Sequence, residues 1–84
     1  MTRKGKLIER FLTKPADFTF DELVTLLRQL GYTQAGSGHT SGSKVAFAND
    51  DGDYLRLHKP HPRNILKLYQ IENLMTALKE RGLL

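Results

Sequence analysis

Apolar positions along this chain recur at helical spacing, then alternate, then return to helical spacing, and each change of period marks a change of structure. Leu7, Ile8, Phe11 and Leu12 fall on one side of a helix over Lys6–Thr13, with Glu9 and Arg10 turned away. Pro15 ends it, because the residue before a proline is pushed out of helical backbone angles. A second helix follows. Thr19-Phe20-Asp21-Glu22 is a capping box, Phe18 and Leu23 stand at the positions of a hydrophobic staple, and Phe20, Leu23, Val24, Leu27 and Leu30 form the apolar stripe. Gly31 supplies the left-handed stop.

From Tyr32 the period shortens. Tyr32–Gln34 predicts a short strand, and Ala35–Gly42 is too rich in Gly and Ser for regular structure. Ser43–Ala48 alternates, with Val45 and Phe47 on one face and Lys44, Ala46 and Ala48 on the other. Asn49-Asp50-Asp51-Gly52 predicts a hairpin turn. Asp53–His58 alternates again, so Leu55 and Leu57 face the core while Tyr54, Arg56 and His58 face outward. After Lys59-Pro60-His61-Pro62, the segment Arg63–Arg81 reads as a helix of about five turns at 3.6 residues per turn. Asn64 is its predicted N-cap, Ile65, Leu68, Ile71 or Glu72, Leu74, Met75 and Leu78 its apolar side, and Gly82 its stop. The order helix, helix, three strands, helix predicts an α+β fold: a three-stranded antiparallel sheet covered on one face by helices.

At 84 residues the chain predicts a single domain, 1–84, with its core in 19–82 and residues 6–13 as an additional N-terminal helix. The absence of cysteine excludes disulfide frameworks, thiolate zinc sites and cysteine nucleophiles. No apolar run approaches the roughly 20 residues that span a bilayer, and the basic start is followed by an amphipathic segment rather than a secretory signal. A cytoplasmic protein is expected. Thirteen Lys and Arg against nine Asp and Glu leave a net charge of +4. That surplus favours a polyanionic partner, RNA or DNA, or an acidic protein.

The candidate chemistry sits between Gly36 and Pro62, which holds all three histidines, His39, His58 and His61, with Lys44, Arg56 and Lys59. A histidine metal site would have to combine His58 and His61 with Asp53. Zinc normally takes a third strong ligand in fixed geometry, and no such spacing is present, so no metal is expected. Gly36-Ser37-Gly38 lacks the strand-to-helix context of a phosphate cradle, so no nucleotide cofactor is expected either.

Leu26-Leu27-Arg28-Gln29-Leu30-Gly31-Tyr32, Gly42-Ser43-Lys44 at the opening of the second strand, the Asp51-Gly52 turn, and Pro60-His61-Pro62 before Ile65-Leu66 occur in an order and spacing that resembles the HicA family of bacterial toxin ribonucleases. The resemblance covers roughly residues 20 to 82. It implies a fold like that of the double-stranded-RNA-binding domain, metal-independent cleavage of mRNA, and a cognate HicB-type antitoxin as partner. The family's active-site histidine typically follows the Gly-Ser, and here that position is Lys44.

Metal-free RNA cleavage needs a base for the 2′-hydroxyl proton, an acid for the departing 5′-oxygen and a cation for the charge growing on the phosphate. Histidine side chains in general titrate near neutrality and suit either proton role, whereas lysine, ordinarily near 10.4, is better as a clamp. The expected catalytic set is therefore His58, His61 and Lys44. The expected RNA contacts are Lys44, Arg56, Lys59, Arg63 and Tyr54, with His39 on the Gly-Ser loop as a further candidate. Two other readings stay open: a module of the same fold that grips RNA without chemistry, and a domain whose basic face docks an acidic protein.

Overall fold

The leading amphipathic segment forms α1 (Arg3–Leu12), beginning at Arg3 rather than Lys6. The computed structural model describes residues 3–35, 44–60 and 63–84. Phe11 is fully buried and its ring meets that of Phe18 edge-on, centroids 5.3 Å apart, so α1 is part of the core. Lys14, just before Pro15, closes the helix in the left-handed region with φ +54°.

The capping box forms as the sequence predicts. The Glu22 N–H donates to the Thr19 hydroxyl at 3.0 Å, and the Thr19 N–H donates back to the Glu22 carboxylate at 2.9 Å. Helix α2 (Phe20–Gln29) follows, with Phe18 and Leu23, the staple pair, both fully buried. At its far end Gly31 adopts φ +96°, which lets Gly31 N–H reach the Arg28 carbonyl at 3.0 Å and Tyr32 N–H reach the Leu27 carbonyl at 2.8 Å. Two carbonyls that a helix end would otherwise leave open are thus satisfied.

The three strands are β1 (Thr33–Ala35), β2 (Lys44–Ala48) and β3 (Tyr54–His58), antiparallel in the order β1-β2-β3. Tyr32 is not in β1: it is buried at the helix exit, and the strand begins one residue later. In the β2–β3 hairpin Asn49 N–H donates to the Asp53 carbonyl at 3.1 Å and Gly52 N–H to the Asn49 carbonyl at 3.1 Å, with φ +82° at Gly52. The Asn49 side-chain oxygen also accepts from Asp51 N–H and Asp53 N–H. The turn is therefore a loop of Asp50, Asp51 and Gly52 in which Gly52 takes the positive φ.

The last helix departs most from expectation. Helix α3 is Leu68–Glu80, not Arg63–Arg81. The helix starts no earlier because residues 64–66 pair with the chain entering α2: Phe20 N–H donates to the Asn64 carbonyl at 2.9 Å, Leu66 N–H donates to the Phe18 carbonyl at 2.8 Å, and Thr19 and Ile65 form a bridge. Asn64 accordingly does not cap the helix; Lys67 occupies that position. Leu68, expected in the core, is 57% exposed, and the buried face is Gln70, Ile71, Leu74, Met75 and Leu78. The helix ends on Gly82, φ +72°, with Leu83 N–H donating to the Leu78 carbonyl at 2.9 Å.

Phe11, Phe18, Leu23, Leu26 and Leu27 join Phe47, Leu55, Leu66, Ile71 and Leu78 in one core, against which Val45 and Leu57 pack at its margin. This is an α+β fold with order α-α-β-β-β-α, compatible with the double-stranded-RNA-binding-domain arrangement. Among the described residues no helix is long and apolar enough to cross a membrane.

Candidate nucleic-acid interface

Because side chains alternate along a strand, burying Phe47 and Leu55 turns their neighbours outward. The β2–β3 register pairs Lys44 with His58, Ala46 with Arg56 and Ala48 with Tyr54, so these residues lie on one solvent face. Directly opposed side chains in such a ladder have Cβ atoms about 4.5–5.5 Å apart. Lys44, Tyr54, Arg56 and His58 are all exposed. The alanines at 46 and 48 leave that face low, and the Arg56 guanidinium lies 5.1 Å from the centroid of the Tyr54 ring. A cation stacked on an aromatic ring gives a flat, positively charged platform.

The other expected RNA contacts are placed elsewhere. The Lys59 ammonium lies over the Phe20 ring, 5.5 Å from its centroid, at the start of α2. It follows His58 by one residue and so leaves on the opposite side of the strand. Arg63 is exposed, one residue before Asn64, whose carbonyl accepts from Phe20. Lys59 and Arg63 thus belong with the start of α2, and the predicted basic set divides in two. His39 and His61 lie outside the described residues.

Asp53 is committed to other partners. Its carboxylate accepts from the Tyr32 hydroxyl and from Arg81 Nε at 2.5 Å, with Arg81 Nη2 at 3.3 Å. The Arg81 hydrogen bond, then the Tyr32 hydroxyl, hold Asp53 down to about 2. Burial, and secondarily the Asp53 bond, push the Tyr32 phenol up. The Asp53 oxygens thus face Tyr32 and Arg81. No cluster of three or more His, Asp or Glu capable of holding a metal occurs among the described residues.

Two features were not anticipated. Gln70, 6% exposed, donates from Nε2 to the His58 carbonyl at 2.8 Å and accepts from Lys67 N–H at 3.0 Å. It ties the end of β3 to the start of α3. Its signal was present, since a glutamine one turn before Leu74 interrupts an apolar face. The second is a groove of about 400 Å³ between β3 and α3, walled by β3 on one side and by Tyr69, Asn73, Ala77 and Arg81 on the other. Nothing local in the sequence encodes it, because it arises where a strand edge and a helix stand apart. The chain matches no protein-family model, no curated protein and no solved structure.

Proposed function

We propose that the outward face of the sheet binds RNA and that the protein is a metal-independent ribonuclease of the HicA toxin kind, restrained by a HicB-type antitoxin. The observation that carries this reading is the placement of Lys44 directly across from His58, with Arg56 beside them on the same face. An RNA phosphate seated there meets two cations and one imidazole. His58 takes the proton of the 2′-hydroxyl, and the resulting alkoxide attacks the adjacent phosphorus. Lys44 and Arg56 balance the charge that grows on the phosphate oxygens. The P–O5′ bond breaks, leaving a 2′,3′-cyclic phosphate and a 5′-hydroxyl that takes its proton from an acid, the role assigned to His61. Tyr54, under Arg56, offers a ring on which an unpaired base stacks.

The alternative, RNA binding without cleavage, is favoured by one specific observation: lysine stands at position 44, where the family resemblance expects histidine. One experiment separates the two. The protein is incubated with a single-stranded RNA and with the same strand carrying 2′-deoxy sugars, in the presence of chelator. Cleavage of the RNA alone to cyclic-phosphate ends, lost in His58→Ala, supports the ribonuclease; salt-sensitive binding without cleavage supports the module; binding to neither strand overturns both.

A further inference from the structure

The groove between β3 and α3 contains an open sheet edge. Asn49 N–H bonds to the Asp53 carbonyl, and hydrogen-bonded pairs alternate along an antiparallel ladder. Phe47–Leu55 and Val45–Leu57 are therefore the bonded pairs of the β2–β3 register. The backbone groups of Tyr54, Arg56 and His58 consequently point away from β2. One hydrogen bond bears this out: Gln70 reaches the His58 carbonyl and closes that end of the edge. Before it the Tyr54 carbonyl, both groups of Arg56 and the His58 N–H point to the groove side.

The opposite wall is shaped for side chains. Tyr69, Asn73 and Ala77 follow one another at single-turn spacing along α3, and small residues after Tyr69 keep the wall low. Four large apolar side chains are exposed among the described residues; Tyr54 and Tyr69 line this groove, and Leu68 adjoins Tyr69. Exposed apolar groups gathered at one concavity mark an interaction site. The charge is one-sided as well. Among the described residues the lining includes no carboxylate, and of its two arginines Arg81 is paired with Asp53, so the charge offered there rests on Arg56.

We infer that this groove takes an extended acidic segment of a partner protein, which adds as a strand to the edge of β3 and lays alternate apolar side chains against Tyr69 and Ala77. An unpaired strand edge beside a helix is the setting in which peptides bind by strand addition, with main-chain bonds giving affinity and alternate side chains specificity. A peptide strand uses the N–H and the carbonyl of Arg56 together, as the next rung of the ladder. The acidic preference follows from the lining. The inference does not depend on RNA binding by the sheet face.

The test uses the full chain and three synthetic hexapeptides: one alternating glutamate with leucine, the same peptide N-methylated at alternate residues, and a lysine-for-glutamate version. Strand addition requires that the first peptide slow hydrogen exchange of the Arg56 amide at least tenfold and shift the amide resonances of Tyr54 and His58. It also requires that both altered peptides bind at least tenfold more weakly. Asn73→Trp, at an exposed helix position, fills the groove and should abolish peptide binding while leaving the folded spectrum intact. Equal binding of the N-methylated peptide, an unprotected Arg56 amide, or displacement of Tyr69 resonances by a single-stranded RNA but by no peptide overturns the inference.

Discussion

Gln70 joins the carbonyl of His58 to the N–H of Lys67, with both ends of one buried amide in use. The strand that carries the candidate catalytic histidine is thereby anchored to a helix start. Gln70→Leu keeps the volume and removes both bonds, leaving a carbonyl and an N–H without their partner. A loss of about 0.5–1.5 kcal/mol for each bond is expected, the usual net worth of a hydrogen bond whose partners can turn to water. Urea denaturation checks it, and an unchanged slope with a lower midpoint is the expected form.

Asp53 makes stability depend on acidity. Its folded pKa, about 2, lies below the ordinary value of 3.8, so its contribution is present above pH 4 and is lost as pH falls toward 2. Glu22 acts in the same direction, held low chiefly by its bond to Arg10. Thermal unfolding followed from pH 5 to pH 2 should show a fall in Tm, and Asp53→Asn should flatten that fall while lowering Tm at neutral pH. Tyr32, pushed up, gives the mirror effect, its contribution being lost as pH rises beyond 10. An Asp53→Asn profile parallel to that of the parent protein would contradict the assignment.

Lys14 occupies left-handed backbone with a side chain that does not favour it. The left-handed conformation costs a non-glycine residue roughly 1–2 kcal/mol. An exposed ion pair with Glu72 at 3.3 Å compensates in part, and such pairs contribute about 0–1 kcal/mol. Lys14→Gly should therefore stabilise the fold by about 0.5–1 kcal/mol, measured as a higher denaturation midpoint.

The division of the basic residues predicts a division of effects. Lys44→Ala and Arg56→Ala should each reduce the salt dependence of single-stranded RNA binding, the slope of log K against log salt falling by about 0.7 for each phosphate no longer neutralised. Lys59→Ala should leave that slope unchanged, because the Lys59 ammonium lies over Phe20 on the far side of the strand. Equal slope changes for Lys44 and Lys59 would place the RNA elsewhere.

What the sequence revealed was local. Thr19 and Glu22, Phe18 and Leu23, and Gly31 lie within a few residues of their partners, and the alternation at Val45–Phe47 and Leu55–Leu57 fixes which face is buried. What it concealed was distant. Ile65, Leu68 and Ile71 keep a helical period, yet 64–66 are held out of the helix by Phe18 and Phe20, to which no local pattern points. Asp53 and Arg81 meet across the fold in the same way. Of the candidate site, the outward set Lys44, Tyr54, Arg56 and His58 followed from strand alternation alone. The departure of Lys59 and Arg63 did not, since it depends on where α2 begins in space.

The pairing of Phe18 and Phe20 with Leu66 and Asn64 also bears on how long a folded molecule lasts. Everything from α2 through β3 lies between its two halves, so the pairing acts as a clasp on a loop containing the whole sheet. Closing a loop of that length costs entropy before its packing returns anything, so the expected order is hairpin and α2 first, clasp last. A conservative change there, such as Leu66→Val, should hasten unfolding far more than it slows folding in stopped-flow experiments. A faster-unfolding Leu66→Val would make the clasp, more than the hairpin, what sets how long a folded molecule lasts.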